Sequence, residues 1–373
     1  MSKVLPAHLQ WVDDTVSCRA FASELHAEEG CAPKAIVKPH STEDVIELLA
    51  WANATGTRVV PVSSTGTRRR GDTIPKCENT VIADLSGMNK LIHADSRDKI
   101  AIIEPGVDFA SIDSLLEPHG LRAFRPLAPR AGKSVIASYL EREPILGAND
   151  HWDVGDPFGG TGVVLGNGKY SPTGGAAIEG TLPEQLARGH RHMVPVGPIN
   201  LDVLRVLQGA QGSLGIMTWA AIYCERLPSI EESWFITADT LEPVIDVARE
   251  LLMRRLGSQV FIVDRVQLAL LLAQDQATFL RLMNALPEWT LFVSLSLDAL
   301  HLVRTDAVQR LADVLERSRR GGPVGASVRA PTRQSLTGRG ALFVEVDGRH
   351  QNLIPGLFGE TVPAPGLGAE PIA

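Results

Sequence analysis

The 373-residue sequence predicts an α+β fold. From Ser41 to Gly120 the hydrophobic periodicity runs helix, strand, strand, strand, helix, which is not the strict strand–helix alternation of a doubly wound sheet. With 34 glycines and 24 prolines the chain has too many turn formers for a helical bundle. No G-x-G-x-x-G follows a strand, and GTRRRGD puts Asp72 where a phosphate-binding loop needs lysine, so both common nucleotide loops are excluded.

Composition narrows the class further. With 44% hydrophobic and 21% charged residues, the chain reads as globular, with enough length for about two or three domains. The net charge of −7 argues against a grip on phosphate backbones, so no nucleic-acid partner is expected. The most apolar runs, LALLLA at 268–273 and TLFVSLSL at 290–297, fall short of the roughly 20 residues of a membrane span. The N-terminus has no apolar signal region, and Cys18, Cys31, Cys77 and Cys224 are scattered as free thiols would be, so the expected location is cytoplasmic.

The elements follow from local signals. Ser41 stands as an N-cap with Asp44 three residues on, Val45, Leu48, Leu49 and Ala52 repeat at helical spacing, and Gly56 ends the helix. Residues 58–62, 79–85 and 99–106 read as strands, and 108–120 as a short helix closed by Gly120. The middle, about 125–198, reads as loop-rich because of PFGGTGVVLGNG and SPTGGAAIEG. A helix at 200–207 leads to a strand at about 216–224. After Pro228 come strands at SWFITAD, QVFIV and TLFVSLSL, and helices at 241–256 and 305–320. Beyond 321 the chain is rich in Gly and Pro, with one strand at 341–346 in a partly docked or disordered tail.

Three clusters carry candidate chemistry. SSTGTRRRGD, directly after a strand, reads either as an anion cradle or as an exposed basic turn. HWDVGDP gathers an imidazole, an indole and two carboxylates, the components of an acid–base site. His190 and His192 in RGHRH read as a solvent-exposed pair rather than metal ligands, because on a helix side chains two residues apart diverge. No G-x-S-x-G occurs, so hydrolase chemistry has no foothold.

KPHSTEDVIELLAWANATGTRVVPVSSTGTRRRGD, VIADLSGMNKLIHADSRDKIAIIEPGVDFASIDSLLEPHGL and QGAQGSLGIMTWAAI, in that order, resemble segments of a flavoprotein FAD-binding domain. The family is that of vanillyl-alcohol oxidase and p-cresol methylhydroxylase (PCMH), which includes the D-lactate and glycolate dehydrogenases. The resemblance implies a PCMH-type fold of two packed subdomains over residues 32–228. An N-terminal segment (1–31) precedes it, and a small α/β cap domain (229–320) and a Gly/Pro-rich tail (321–373) follow. It implies that Ser64, Thr65, Gly66, Thr67 and Arg68 hold the FAD pyrophosphate. The matching positions on the flavin and adenine side are Lys133, Ser134, Ser138, Thr173, Gly174, Gly212, Gly215 and Ile216.

The implied activity is hydride transfer from an alcohol carbon, such as that of a 2-hydroxy acid, to the flavin of FAD. No histidine lies in the pyrophosphate loop, so the FAD is expected to be noncovalent. The resemblance supplies no base; the residues themselves suggest His151, with Arg130 and Arg142 clamping a carboxylate. Partners are then a small-molecule substrate and an electron acceptor. The alternative is an FAD-binding but catalytically incomplete subunit acting beside a partner, since family members are longer and lactate-type relatives carry a histidine cluster in the second half. No metal site is expected.

Overall fold

The computed structural model describes residues 6–22, 30–66, 68, 73–127, 129–145, 157–196, 202–228, 230–273, 275–297, 309–310, 313, 332–336, 343–346 and 349–352. The chain forms two compact units. The first is Met1–Phe124, Ala131–Pro144 and Asp153–Leu227; the second is Arg125–Arg130, Ile145–Trp152 and Pro228–Ala373.

The first unit holds two sheets. In the smaller, β1 (Gln10–Val12), β2 (Ala35–Lys38), β3 (Arg58–Val62) and β4 (Thr80–Asp84) lie in the order β1-β2-β4-β3, with β2 and β3 parallel to β4. Helix α1 (Thr15–Arg19) follows β1, and α2 (Thr42–Thr55) links β2 to β3. As the spacing predicts, the Ser41 hydroxyl accepts from the Asp44 N–H at 3.1 Å, and Gly56 ends α2 at φ 66°. Val45, Leu48, Leu49 and Ala52 are buried, the first three in one core with Ala35, Val37 and Val81.

The larger sheet has β5 (Leu91–Asp95), β6 (Ile100–Ile103), β7 (Leu121–Ala123), β8 (Phe158–Leu165), β9 (Tyr170–Pro172) and β10 (Gly215–Arg226). Its order is β5-β6-β10-β8-β9, with β7 pairing with the end of β10. Four short helices accompany it, α3 (Ile112–Leu116), α4 (Val135–Leu140), α5 (Leu182–Ala187) and α6 (Leu204–Leu207).

Strand β8 corrects the loop-rich reading of the middle. Its glycines are there for close approach, not for flexibility. A Cβ on Gly159 would come within 2.3 Å of the His192 carbonyl, and one on Gly162 within 2.1 Å of the Trp219 indole nitrogen. The chain crosses β8 so tightly that only glycine fits, and a buried strand therefore looks like a loop in sequence.

The second unit is built on an antiparallel sheet of β11 (Ile230–Ala238), β12 (Gln259–Asp264), β13 (Trp289–Leu297) and β14 (Thr332–Leu336), in the order β12-β13-β11-β14. Helix α7 (Leu241–Met253) packs Val244, Val247, Ala248 and Leu251 on one face of it. The helices α8 (Arg265–Leu272), which contains LALLL, and α9 (Gln276–Ala285) share a second core with Phe235 and Phe292. The pair β15 (Phe343–Val346) and β16 (Arg349–Asn352) forms a separate hairpin. The Gly/Pro-rich stretch after 321 thus contributes β14 to the sheet, through pairing with β11. The expected helix at 305–320 and residues 354–373 lie largely or wholly outside the described residues. Among the described residues no helix is long and apolar enough to cross a membrane, and no group of three His, Cys, Asp or Glu could hold a metal.

Candidate cofactor site

The site is organised by the carboxyl end of β3. Ligands of open sheets with parallel strands gather where strands end and loops begin. Here residues 63–66 leave β3 and meet the stretch that opens α4. The Ser64 hydroxyl accepts from the Ser134 N–H at 3.0 Å, and the Thr65 N–H donates to the Gly132 carbonyl at 2.7 Å. Gly132 is required at this crossing, since a Cβ would lie 2.4 Å from the Thr65 hydroxyl.

Ser134 ties a third segment into the same place. Its hydroxyl donates to the Pro105 carbonyl at 2.6 Å and accepts from the Ala137 N–H at 3.1 Å, so it caps α4 while holding the EPGV turn. The Val135 N–H donates to the Val107 carbonyl at 3.0 Å. Gly106 lets that turn press on the chain after β4, where a Cβ would meet the carbonyls of Leu85, Ser86 and Met88 at 2.4–2.8 Å.

The arrangement fits an anionic, phosphate-bearing group. Gly66 has φ 72°, the left-handed backbone that turns successive N–H groups to one side. Thr65 and Gly66 are exposed, and Ser64, having accepted from Ser134, keeps its own hydroxyl proton to donate. Arg68 is turned toward the N-terminal segment, donating to the Ala20 carbonyl with its guanidinium 4.2 Å from the Phe21 ring centre. Thr67, Arg69 and Arg70 lie outside the described residues.

Other positions have structural duties. Lys133 forms an ion pair with Glu141 at 2.5 Å, which neutralises its charge, and the Ser138 hydroxyl donates to Glu143 at 2.5 Å. Thr173 is buried with its hydroxyl 2.7 Å from that of Thr161, and Gly174 packs where a Cβ would strike the Val194 carbonyl at 2.3 Å. Gly212, at φ 75°, gives way to the Pro61 ring, where a Cβ would be 2.6 Å away; Gly215 gives way to β8; and Ile216 lies in the core beneath α2. Gly212, Gly215 and Ile216 also line a cavity of about 160 Å³, smaller than the few hundred Å³ of a ligand pocket.

Of the three residues suggested for catalysis, Arg142 is exposed at φ 56° after α4 in the first unit. Arg130 belongs to a stretch of the second unit. His151 lies outside the described residues.

His192 overturns the expectation of an exposed pair. His190 is exposed, but His192 is 3% exposed, sits at φ 54° and has its ring 5.8 Å from that of Trp219. Among the described residues neither of its ring nitrogens has a hydrogen-bond partner, and burial holds it below the ordinary histidine value. Its carbonyl accepts from the Gly160 N–H at 2.7 Å, which draws RGHRH down onto β8. All four cysteines are free; burial pushes the Cys224 thiol up to about 12, so it is no thiolate nucleophile at neutral pH.

A family model described as an FAD binding domain matches residues 33–139, which carry β3, the loop after it, the EPGV turn and α4. The fold matches that of p-cresol methylhydroxylase solved with substrate bound, with a TM-score of 0.65 and 17% identity over 87% of this chain and 63% of that one. Residues 33–139 thus carry an FAD binding domain, and the chain has the PCMH-type fold. An alkyldihydroxyacetonephosphate synthase shares this PCMH-type fold at a TM-score of 0.63 and 16% identity, over 83% of this chain and 57% of its own.

In sequence, the PCMH-type domain is 27% identical over 238 residues to the mitochondrial D-lactate dehydrogenase [cytochrome] of Arabidopsis thaliana, covering 63% of this chain and 38% of that protein. It is 26% identical over 217 residues to D-2-hydroxyglutarate dehydrogenase of Stutzerimonas stutzeri, covering 58% and 42%. With glycolate oxidase subunit GlcD of Bacillus subtilis the identity is 24% over 226 residues, covering 60% and 44%. The matched stretch thus spans less than half the length of these relatives.

Proposed function

We propose that this chain binds FAD without a covalent link and oxidises the hydroxyl-bearing carbon of a small 2-hydroxy acid. The reading rests on the FAD binding domain at residues 33–139, together with relatives whose names carry D-lactate, D-2-hydroxyglutarate and glycolate, all 2-hydroxy carboxylates. Ser64, Thr65, Gly66, Thr67 and Arg68 would hold the pyrophosphate, with Lys133, Ser134, Ser138, Thr173, Gly174, Gly212, Gly215 and Ile216 framing the flavin and adenine side. Once bound, FAD supplies the two-electron acceptor that no side chain provides.

The chain's own residues must hold the substrate carboxylate, present the C–H bond and remove the hydroxyl proton. Arg130 and Arg142 suit the first task, because a guanidinium pairs with a carboxylate through two parallel hydrogen bonds. The His151 imidazole suits the last, since its ordinary pKa lies near neutrality. A loop without histidine, and a deeply buried Cys224, support noncovalent binding. The four free cysteines suit a reducing compartment, the cytoplasm.

Anaerobic mixing of the FAD-loaded chain with D-lactate, glycolate and D-2-hydroxyglutarate tests the activity. Loss of the oxidised flavin band with one of them is the expected result. A flavin that stays oxidised with every acid refutes the dehydrogenase reading and favours a chain that carries FAD for a partner. Acid precipitation should leave the yellow colour in the supernatant; colour in the pellet refutes noncovalent binding.

A further inference from the structure

Gln208 is a buried polar side chain of the first unit that the fold leaves unmatched. It is 6% exposed, yet neither its amide nitrogen nor its amide oxygen has a hydrogen-bond partner among the described residues. Burying a carboxamide with both ends unmatched is costly, and native proteins rarely keep one without a use. The backbone around it is also under constraint. Gly209, Gln211 and Gly212 take φ values of 75°, 51° and 75°, and for Gln211 the left-handed region is unfavourable.

The surroundings of Gln208 are the segments that build the cofactor site. The Gly209 N–H donates to the Leu140 carbonyl at the end of α4, at 2.8 Å. Gly212 presses on Pro61, two residues before the loop that leaves β3. That loop returns to the start of α4 through Ser64 and Ser134 at 3.0 Å. Contacts therefore run in a closed circuit from β3 to its loop, along α4, into residues 208–212 and back to β3, and Gln208 opens the 208–212 stretch of this circuit.

We propose that the Gln208 carboxamide is a cofactor-binding group, pairing with a heterocycle edge of FAD that offers a donor beside an acceptor. An amide supplies N–H and C=O side by side. The two FAD edges with that chemistry are the pyrimidine edge of the isoalloxazine and the amino edge of the adenine. The assignment rests on the FAD reading above, and it makes the buried amide a group whose partner arrives with the cofactor.

The test measures binding, not turnover. FAD is titrated into wild-type apoprotein, Gln208→Leu and Gln208→Met, followed by quenching of flavin fluorescence, and FMN and ADP are titrated separately. Both variants should bind FAD at least about tenfold more weakly, because an edge they desolvate is left unpaired. Their apoproteins should melt at a higher temperature than the wild type, because the unmatched amide is gone.

The fragment that loses affinity identifies the edge: FMN for the isoalloxazine, ADP for the adenine. A wild-type chain that takes up no FAD overturns the cofactor reading and this assignment with it. A wild type that binds, with both variants binding equally well, overturns the assignment alone. An equal loss for FMN and ADP, or variants that melt lower than wild type, marks a fold defect and also overturns it.

Discussion

Gly162→Ala should unsettle the first unit through one side chain. The new methyl would lie 2.1, 2.5 and 2.7 Å from three atoms of the Trp219 indole, where ordinary contact needs more than 3.4 Å. The indole must move by about an ångström, yet it is 4% exposed and donates to the Tyr170 hydroxyl at 3.0 Å. Overpacking of this kind costs about 1–3 kcal/mol. A buried indole N–H that loses its acceptor adds about 1–3 kcal/mol. The sum, about 4 kcal/mol, is a large share of the 5–15 kcal/mol that typically holds a domain together. With m of about 1–3 kcal/mol per M, the urea midpoint should fall by more than about 1 M. Intrinsic fluorescence reads the transition, and Gly166→Ala is the internal control, since its nearest neighbour would be the Leu214 carbonyl at 3.9 Å. Equal midpoints for Gly162→Ala and wild type would mean that β8 has slack and that its glycines are not there for contact.

Gly212→Val combines a β-branched residue at φ 75° with a collision on Pro61, so the purified variant should be soluble but free of yellow colour; normal FAD content would detach this turn from the cofactor. Ser134→Ala removes a buried hydroxyl that both caps α4 and holds Pro105, and should lower stability by about 2 kcal/mol in urea titration, with an unchanged midpoint counting against the three-segment junction. Burial keeps His192 below its ordinary value of 6.5, so in the pH range below 6.5 the unfolded chain binds more protons than the folded one. Its stabilising share is therefore present above 6.5 and is lost as pH falls below 6.5 through the lowered folded value. His192→Asn, which tolerates a left-handed backbone, should flatten that slope, and an unaltered melting-temperature profile would show that another group titrates.

What was legible in the sequence was what neighbours in sequence decide. The cap at Ser41, the stop at Gly56 and the spacing of Val45, Leu48, Leu49 and Ala52 are all local, and α2 formed as expected. Strand β8 was illegible because each of its glycines answers to chain far away, Gly159 to His192 and Gly162 to Trp219. The burial of His192 escaped for the same reason, since RGHRH is polar in isolation and is drawn inward by Gly160. At the candidate site, SSTGTRRRGD shows in sequence that a loop follows β3. The meeting of that loop with Gly132 and with the EPGV turn depends on Ser134, whose two hydrogen bonds reach 29 residues back and three forward.

The position of β10 sets the order in which the first unit can be made. Among the described residues it is the sole partner of β6 on the side away from β5, yet its last residue, Arg226, is about 120 positions after Ile103. At a synthesis rate of about 5–20 residues per second, β6 waits about 6–25 s on the ribosome before its second partner exists. Throughout that interval Ile100, Ile102 and Ile103, which end at 0% exposure, stand beside an open strand edge. From the time β6 emerges until β10 closes the sheet, this apolar edge is open to wrong pairing with any other strand it meets.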